Sequence, residues 1–263
     1  QTDGSSALAD GTYSDCTVTF TDSLSNAASS LTLTSFVVDT TVAAATEGTA
    51  VSTPDNDNTP DVIISVAEAG TVAVGGSCGT STSSSVSSGS NTLTLTQTDG
   101  SSALADAAYS DCTVTFTDSA GNAAGALTLT AFTVDTAVSA ATEGTAVTTP
   151  TADTTPDVVI SVGEAGTIAV GGTSGCGLSS TSTMSSGSNT VTLTASGADG
   201  AYTCTVTFTD SAGNAASALS LTSFTLDTTA NAATEGTAVS TPDNDNTPDV
   251  VISVDEAGTV AVG

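Results

Sequence analysis

The sequence predicts an all-β protein made of tandem two-layer β-sandwiches, and three observations lead to this fold class. Apolar residues alternate with Thr and Ser at a period of two, turn-forming residues separate these short runs, and the whole pattern recurs along the chain. Such alternation is typical of strands with one buried face. Of the 263 residues, 38% are hydrophobic and 11% are charged, which indicates a folded protein and not an acidic disordered segment.

An internal repeat sets the domain organisation. The segment CTVTFTD begins at Cys16, Cys112 and Cys204, so successive copies are 96 and 92 residues apart. The repeat divides the chain into the second half of one unit, two whole units and the first half of another, at residues 1–37, 38–134, 135–226 and 227–263. Whole units of 92 to 97 residues have the size of one sandwich domain.

Each element of the first whole unit follows from its apolar spacing. The alternating positions are Val62, Ile64 and Val66, then Val72 and Val74, Leu93 and Leu95, Cys112, Val114 and Phe116, and last Leu127 and Leu129 with Phe132. The one-residue slip before Phe132 predicts a β-bulge. About six or seven short strands, with turns every 8–12 residues, predict an immunoglobulin-like sandwich.

Several motifs in these units resemble a known family. DSAGNAA follows the Cys-containing strand at residues 118–124, and the unit restarts with TPxxDxTPD and EAGT. These segments resemble the bacterial Ig-like repeats of large surface and extracellular proteins, and the resemblance covers the whole chain. It implies a structural or adhesive role, because members of the family serve as stalks, but it does not identify what is bound.

The five Cys residues follow the repeat. Each whole unit has one Cys after a Gly-Gly turn and one at the start of a later strand, which predicts the pairs Cys78–Cys112 and Cys176–Cys204. Cys16 has no mate within this sequence. Two disulfides place the protein in an oxidising space outside the cytosol. The alternatives are buried free thiols and, with two Cys per unit and no His, a metal site. A Tyr precedes each later Cys, and we interpret Tyr13, Tyr109 and Tyr202 as structural tyrosine corners.

The charge excludes several classes of function. The chain has 28 Asp and Glu residues and no Lys, Arg or His, which gives a formal charge of −28. Without cations it cannot neutralise phosphates, so we expect neither nucleic acid nor an anionic membrane as a partner. It also lacks imidazole and amine groups for catalysis, so we predict that it is not an enzyme. No apolar run approaches the length of about 18 residues that a membrane helix needs, so membrane insertion is not expected.

Acidic clusters raise the question of calcium. The run DNDNTPD places carboxylates at Asp55, Asp57 and Asp61, and again at Asp243, Asp245 and Asp249. It resembles the calcium-binding linker motif of cadherins and bacterial adhesins. Closely spaced carboxylate oxygens suit Ca²⁺, which takes about six to eight oxygen ligands. The alternative is a polar turn, since Asp and Asn favour turns through local backbone hydrogen bonds. Both interpretations stay open, with calcium the one cofactor to test.

The sequence therefore predicts a structural tandem-repeat protein of a microbial cell surface, stapled by disulfides and forming an extracellular filament or an adhesin stalk. The alternative is an Ig-like adhesive module that binds a glycan or a protein receptor. The expected partner is a second copy of the chain, by end-to-end or lateral association. Strands of 227–263 in one copy could complement strands of 1–37 in the next.

Overall fold

A computed structural model describes residue 4 and residues 6–172 and 175–263. Gln1 to Asp3 lie outside the described residues, as do Ser5, Thr173 and Ser174. The described residues form strands and no helix, so none could cross a membrane as a helix. The chain separates into two compact units, residues 1–137 and 138–263.

The half-repeat at the start of the first unit has four short strands. They are β1 (Gly11–Tyr13), β2 (Thr17–Val18), β3 (Leu31–Thr32) and β4 (Phe36–Val38). β1 pairs with β4 and β2 pairs with β3, both antiparallel.

The first complete repeat follows with ten strands. They are β5 (Thr46–Thr49), β6 (Asp61–Val66), β7 (Gly70–Gly75), β8 (Gly79–Thr80), β9 (Ser85–Val86), β10 (Gly89–Thr96), β11 (Ala107–Tyr109), β12 (Thr113–Asp118), β13 (Leu127–Thr128) and β14 (Phe132–Val134). They form two four-stranded sheets with the orders β5-β6-β10-β8 and β13-β12-β7-β9, and a separate pair, β11-β14. This arrangement confirms the predicted all-β sandwich.

The second unit repeats the same strands and ends on a half-repeat. They are β15 (Thr142–Thr145), β16 (Asp157–Val162), β17 (Gly166–Gly172), β18 (Cys176–Leu178), β19 (Thr183–Met184), β20 (Gly187–Ala195), β21 (Gly200–Tyr202), β22 (Cys204–Asp210), β23 (Leu219–Ser220), β24 (Phe224–Leu226), β25 (Thr234–Thr237) and β26 (Val251–Ser253). Its sheets have the orders β15-β16-β20-β18 and β19-β17-β22-β23, with the pair β21-β24. The strand order is therefore the same in both complete repeats.

The core of each complete repeat lies between its two sheets. Along β12, Val114 and Phe116 are fully buried while the Thr residues between them face outward and are half-buried. β22 repeats this pattern with Val206 and Phe208. Burial of one face of each strand provides the main driving force for folding, because apolar area removed from water contributes about 25 cal/mol per Å².

The strands differ from the sequence-based expectation in number, since ten form in each complete repeat where about six or seven were expected, and also in two places along the chain. The slip between Leu129 and Phe132 marks a change of partner, since β13 pairs with β12 whereas β14 pairs with β11. The predicted bulge is wrong there. Register shifts occur instead on the edge strands, between Glu47 and Thr49 in β5 and at the equivalent places in β15 and β25.

Candidate functional site

Two disulfides staple the complete repeats. Cys78 is bonded to Cys112, and Cys176 to Cys204, with Cα–Cα distances of 5.3 and 5.8 Å. These are the pairs that the repeat predicts. In each case the later Cys lies at or next to the start of a central strand, β12 or β22. The bond anchors that strand to the turn before β8 in the first complete repeat and to the first residue of β18 in the second. Cys16 is a free, half-buried cysteine.

All three Tyr residues form the same local arrangement. The hydroxyl groups of Tyr13, Tyr109 and Tyr202 donate hydrogen bonds to carbonyl oxygens four residues upstream, at 2.8, 3.0 and 3.3 Å. Each ring also stacks on a Phe of the paired strand, with centroids 5.3 to 5.4 Å apart. The arrangement holds the entry to the β1, β11 or β21 strand and accounts for these side chains structurally.

A carboxylate latch joins the two sheets of each complete repeat. In the first, Glu47 of β5 accepts hydrogen bonds from the backbone N–H (3.0 Å) and the hydroxyl (2.7 Å) of Thr130, which follows β13. In the second, Oε2 of Glu143 accepts from the same groups of Thr222, at 2.9 and 2.7 Å. Oε1 of Glu143 is buried and has no hydrogen-bond partner. The latch links the edge strand β5 or β15 of one sheet to the residues that follow the edge strand β13 or β23 of the other.

The acidic run at residues 55–61 folds as a series of turns. Asp55 accepts a hydrogen bond from the N–H of Asp57 (3.0 Å), and Asp57 accepts one from the N–H of Thr59 (2.8 Å). Asp61 accepts from the Thr94 hydroxyl at 2.6 Å. The first two bonds are the Asx-turn contacts that the polar-turn interpretation predicts, whereas the third joins β10 to β6.

The later copies of the run use the same turns. Asp245 donates its N–H to Asp243 at 2.9 Å, and Thr247 donates to Asp245 at 2.9 Å. In the middle copy, Thr155 donates to Asp153 at 2.8 Å. Turn formation therefore needs fewer carboxylates than the full acidic run provides.

The first of these turns also attaches to the last strand of its own repeat. The N–H of Asp55 donates to the carbonyl of Thr133 (2.9 Å), and the N–H of Asp135 donates to the carbonyl of Asp55 (2.9 Å). Thr133 in turn donates its N–H to the Thr53 hydroxyl at 3.1 Å. The acidic turn therefore lies against β14, and its backbone is fixed by these bonds.

A different set of carboxylates converges in the first unit. One oxygen from each of Asp39, Glu68 and Asp118 lies within 4.8 Å of the other two. Asp118 is buried, and the other two are half-buried. Within the described residues, no group of three carboxylates at this spacing includes Asp55, Asp57, Asp61, Asp243, Asp245 or Asp249.

Asp118 organises the turn beside this cluster. Its Oδ1 accepts hydrogen bonds from the N–H groups of Gly121 (2.7 Å) and Asn122 (2.8 Å), and its Oδ2 accepts one from the Asn122 amide (2.8 Å). The Asn122 side-chain bond is the main cause that lowers the pKa of Asp118 from its ordinary value. The same amide reaches the Asp39 carbonyl at 3.0 Å. These hydrogen bonds favour the ionised form of Asp118.

The sequence shows part of this cluster. The DSAGNAA motif contains Asp118 and Asn122, but the spacing of this motif does not connect it with Glu68. The signal was available, because Glu68 opens the EAGT turn, and the same turn recurs at Glu164 and Glu256. What the sequence did not show is that this turn, the DSAGN turn and the residue after β4 meet in space.

One comparison with known proteins identifies the fold. Residues 139–228, which cover most of the second complete repeat, match the family described as the bacterial Ig-like domain. The fold of the matched segment is consistent with bacterial Ig-like repeats. Residues 38–134 repeat both the sequence and the strand order of the matched segment. No curated protein matches the chain.

The Ig-like repeats and their disulfides fit a structural or adhesive module. Bacterial Ig-like domains and disulfide bonds both point to an extracellular or surface protein, because disulfides persist outside the reducing cytosol.

Proposed function

We propose that this chain is a structural spacer of a microbial cell surface, in which copies of one Ig-like sandwich extend a filament or an adhesin stalk. The observation that carries the proposal is that each complete repeat has a hydrophobic core of its own, one in residues 45–134 and one in residues 141–226. Each also has its own disulfide. A unit that is complete in itself allows length to grow by adding copies.

The charge supports the same role. A formal charge of −28 keeps long assemblies in solution and discourages random pairing of sheet edges. The three Tyr residues and the Asp-rich turns are used within the fold, and we propose no catalytic role for them. The absence of Lys and Arg also removes every trypsin site, which suits exposure to extracellular proteases.

The test is a measurement of length against copy number. Variants of the chain that carry one, two or four additional copies of residues 38–134 are imaged by electron microscopy. A spacer predicts that the particle length rises in proportion to the number of copies. Particles that become wider at constant length would contradict the proposal. Binding of the unextended chain to a glycan or receptor array would instead favour the adhesive module.

Calcium remains a prediction that concerns the stiffness of such a spacer. Two sets of oxygen ligands compete for it, the predicted runs at residues 55–61 and 243–249 and the cluster of Asp39, Glu68 and Asp118. Thermal unfolding with and without calcium chloride tests the prediction, with magnesium chloride at equal ionic strength as the control. A midpoint that rises with calcium alone supports binding, and Glu68→Gln then decides whether the cluster is the site. An unchanged midpoint leaves the turns as purely structural.

A further inference from the structure

In the first complete repeat, the segment that enters the fold is bonded directly to the segment that leaves it. We call these the entry segment, residues 46–55, and the exit segment, residues 130–135. The N–H of Asp55 donates to the carbonyl oxygen of Thr133, and the N–H of Asp135 donates to the carbonyl oxygen of Asp55, both at 2.9 Å. These bonds belong to a parallel β-bridge between the two segments.

Two side chains of the entry segment add to the backbone bonds. The carboxylate of Glu47 accepts hydrogen bonds from the N–H and the hydroxyl of Thr130, at 3.0 and 2.7 Å. The hydroxyl of Thr53 accepts one from the N–H of Thr133 at 3.1 Å. We call the backbone and side-chain bonds between the entry and exit segments the end clamp.

The second complete repeat builds the same end clamp. The N–H of Thr151 donates to the carbonyl oxygen of Thr225, and the N–H of Asp227 donates to the carbonyl oxygen of Thr151, both at 2.9 Å. The N–H of Thr225 donates to the hydroxyl of Thr149 at 2.9 Å, and the latch carboxylate of Glu143 completes the set. Thr151 takes the place of an Asp in the first repeat, so the backbone bonds do not depend on a carboxylate there.

The position of the end clamp determines how a stretched repeat carries force. The clamp joins the entry of the repeat to its exit, so strands β6 to β13 lie in the chain between them and off the direct path of the force. Tension pulls the entry segment toward its N-terminal side and the exit segment toward its C-terminal side. Because the two segments are parallel neighbours, they are sheared past each other and their bonds must break together. A hairpin pulled by its ends opens its bonds one at a time.

We propose that each complete repeat is a load-bearing element, in which the end clamp resists stretching and the disulfide limits the extension once the clamp has broken. This inference rests on the proposed spacer role and deepens it, since a spacer that is held at both ends is under tension. The disulfides close loops with sequence separations of 34 and 28 residues inside the clamped region. At roughly 3.5 Å per extended residue, they withhold about 120 and about 100 Å of chain.

The experiment holds the full 263-residue chain by its two termini in an optical trap and measures the unfolding rate of each repeat at constant force. Thr53→Val/Thr130→Val removes both hydroxyl groups of the first end clamp. The unfolding rate of that repeat is expected to rise about tenfold, because two bonds that break in the transition state are lost. The second repeat of the same molecule is the internal reference.

The matched control is Thr80→Val/Thr94→Val, which has the same kind of substitution at two sites outside the end clamp. It removes the hydroxyl bonds that join β8 to β10 and β10 to β6, at 2.8 and 2.6 Å. These strands lie between the clamped segments, so their bonds are intact when the clamp breaks. The unfolding rate under force is therefore expected to change less than about twofold.

Two further variants complete the test. Thr149→Val/Thr222→Val removes the same hydroxyl groups from the second end clamp and is expected to accelerate unfolding of the second repeat alone. Cys78→Ala/Cys112→Ala marks the first repeat, because its unfolding step should lengthen by about 120 Å. Two discrete unfolding steps in each record show that both repeats of the variant are folded.

The outcomes separate this inference from the proposed function. Equal unfolding rates in the clamp and control variants overturn the end clamp and leave the spacer intact, because the particle length does not depend on resistance to force. Unchanged rates in both clamp variants overturn it as well. A step that does not lengthen in Cys78→Ala/Cys112→Ala overturns the role of the disulfide. Failure of the spacer itself appears in the electron micrographs, as particles of constant length.

Discussion

The two complete repeats reach the same fold by slightly different local routes. In the first, Tyr109 stands three residues before Cys112 and the preceding loop is long, whereas in the second, Tyr202 stands two residues before Cys204 and the loop is six residues shorter. The strand order, the disulfide and the ring stacking on a Phe are nevertheless the same. The alternation of buried residues fixes the sheets, and the loops tolerate changes in length.

The largest expected effect is on the shared core. Phe116→Ala and Phe208→Ala should each lower the free energy of unfolding of their own repeat by about 3–5 kcal/mol, because each ring is fully buried between the sheets. Urea unfolding followed by circular dichroism measures both. Phe20→Ala is the matched control in dilute solution and should cost less than about 0.5 kcal/mol, as most exposed positions do. Equal losses at Phe20 and Phe116 would contradict the comparison.

Removal of either disulfide should lower the free energy of unfolding nearly as much as the Phe substitutions do. The loss should be similar in the two repeats. The bonds close segments with sequence separations of 34 and 28 residues. In the chain-entropy model each contributes about 3–4 kcal/mol, and its logarithmic dependence on loop length makes the two differ by less than about 0.5 kcal/mol. The double variants Cys78→Ala/Cys112→Ala and Cys176→Ala/Cys204→Ala test this by urea unfolding. A much larger loss in one repeat would show that its bond does more than restrict the unfolded chain.

Substitution of the latch carboxylate should change the stability of the two repeats by different amounts. Glu143 leaves one buried oxygen without a partner, whereas both oxygens of Glu47 lie within hydrogen-bond distance of the Thr130 N–H, at 3.2 and 3.0 Å. Glu143→Gln removes a buried charge and keeps an acceptor for Thr222, so we expect a change within about 0.5 kcal/mol. Glu47→Gln should destabilise its repeat by about 1 kcal/mol, since a charged acceptor is lost. Thermal unfolding of both variants checks the order, and the reverse order would contradict it.

Low pH should destabilise the first complete repeat through Asp99, which lies in the loop that is shorter in the second repeat. Hydrogen bonds from the Ser102 hydroxyl, and then from the backbone of Ser102 and Ser101, lower the pKa of Asp99 from 3.8 to about 2. Because the folded pKa is the lower one, the stabilisation is present above pH 4 and is lost as the pH falls from about 4 to about 2. Asp99→Asn should make the unfolding midpoint less dependent on pH in this window. An unchanged dependence would show that Asp99 contributes nothing.

Local patterns made most of the fold predictable. The alternation Val114, Phe116 against the intervening Thr residues gave the central strand, and the repeat gave both disulfide pairs. The latch between Glu47 and Thr130 could not be predicted, because it joins residues 83 apart that meet only when the two sheets pack. The convergence of Glu68 with Asp39 and Asp118 has the same origin. The partner change before Phe132 was misread as a bulge because a one-residue slip in the pattern fits both.

The central claim is that one sandwich, closed by one disulfide, is repeated along the chain. Disulfide mapping tests it most directly: the oxidised chain is digested without reduction by pepsin, since trypsin has no site in it, and the linked peptides are identified by mass spectrometry. The expected result is Cys78 linked to Cys112, Cys176 linked to Cys204, and Cys16 free. A bond between Cys112 and Cys204, or five free thiols, would contradict the account.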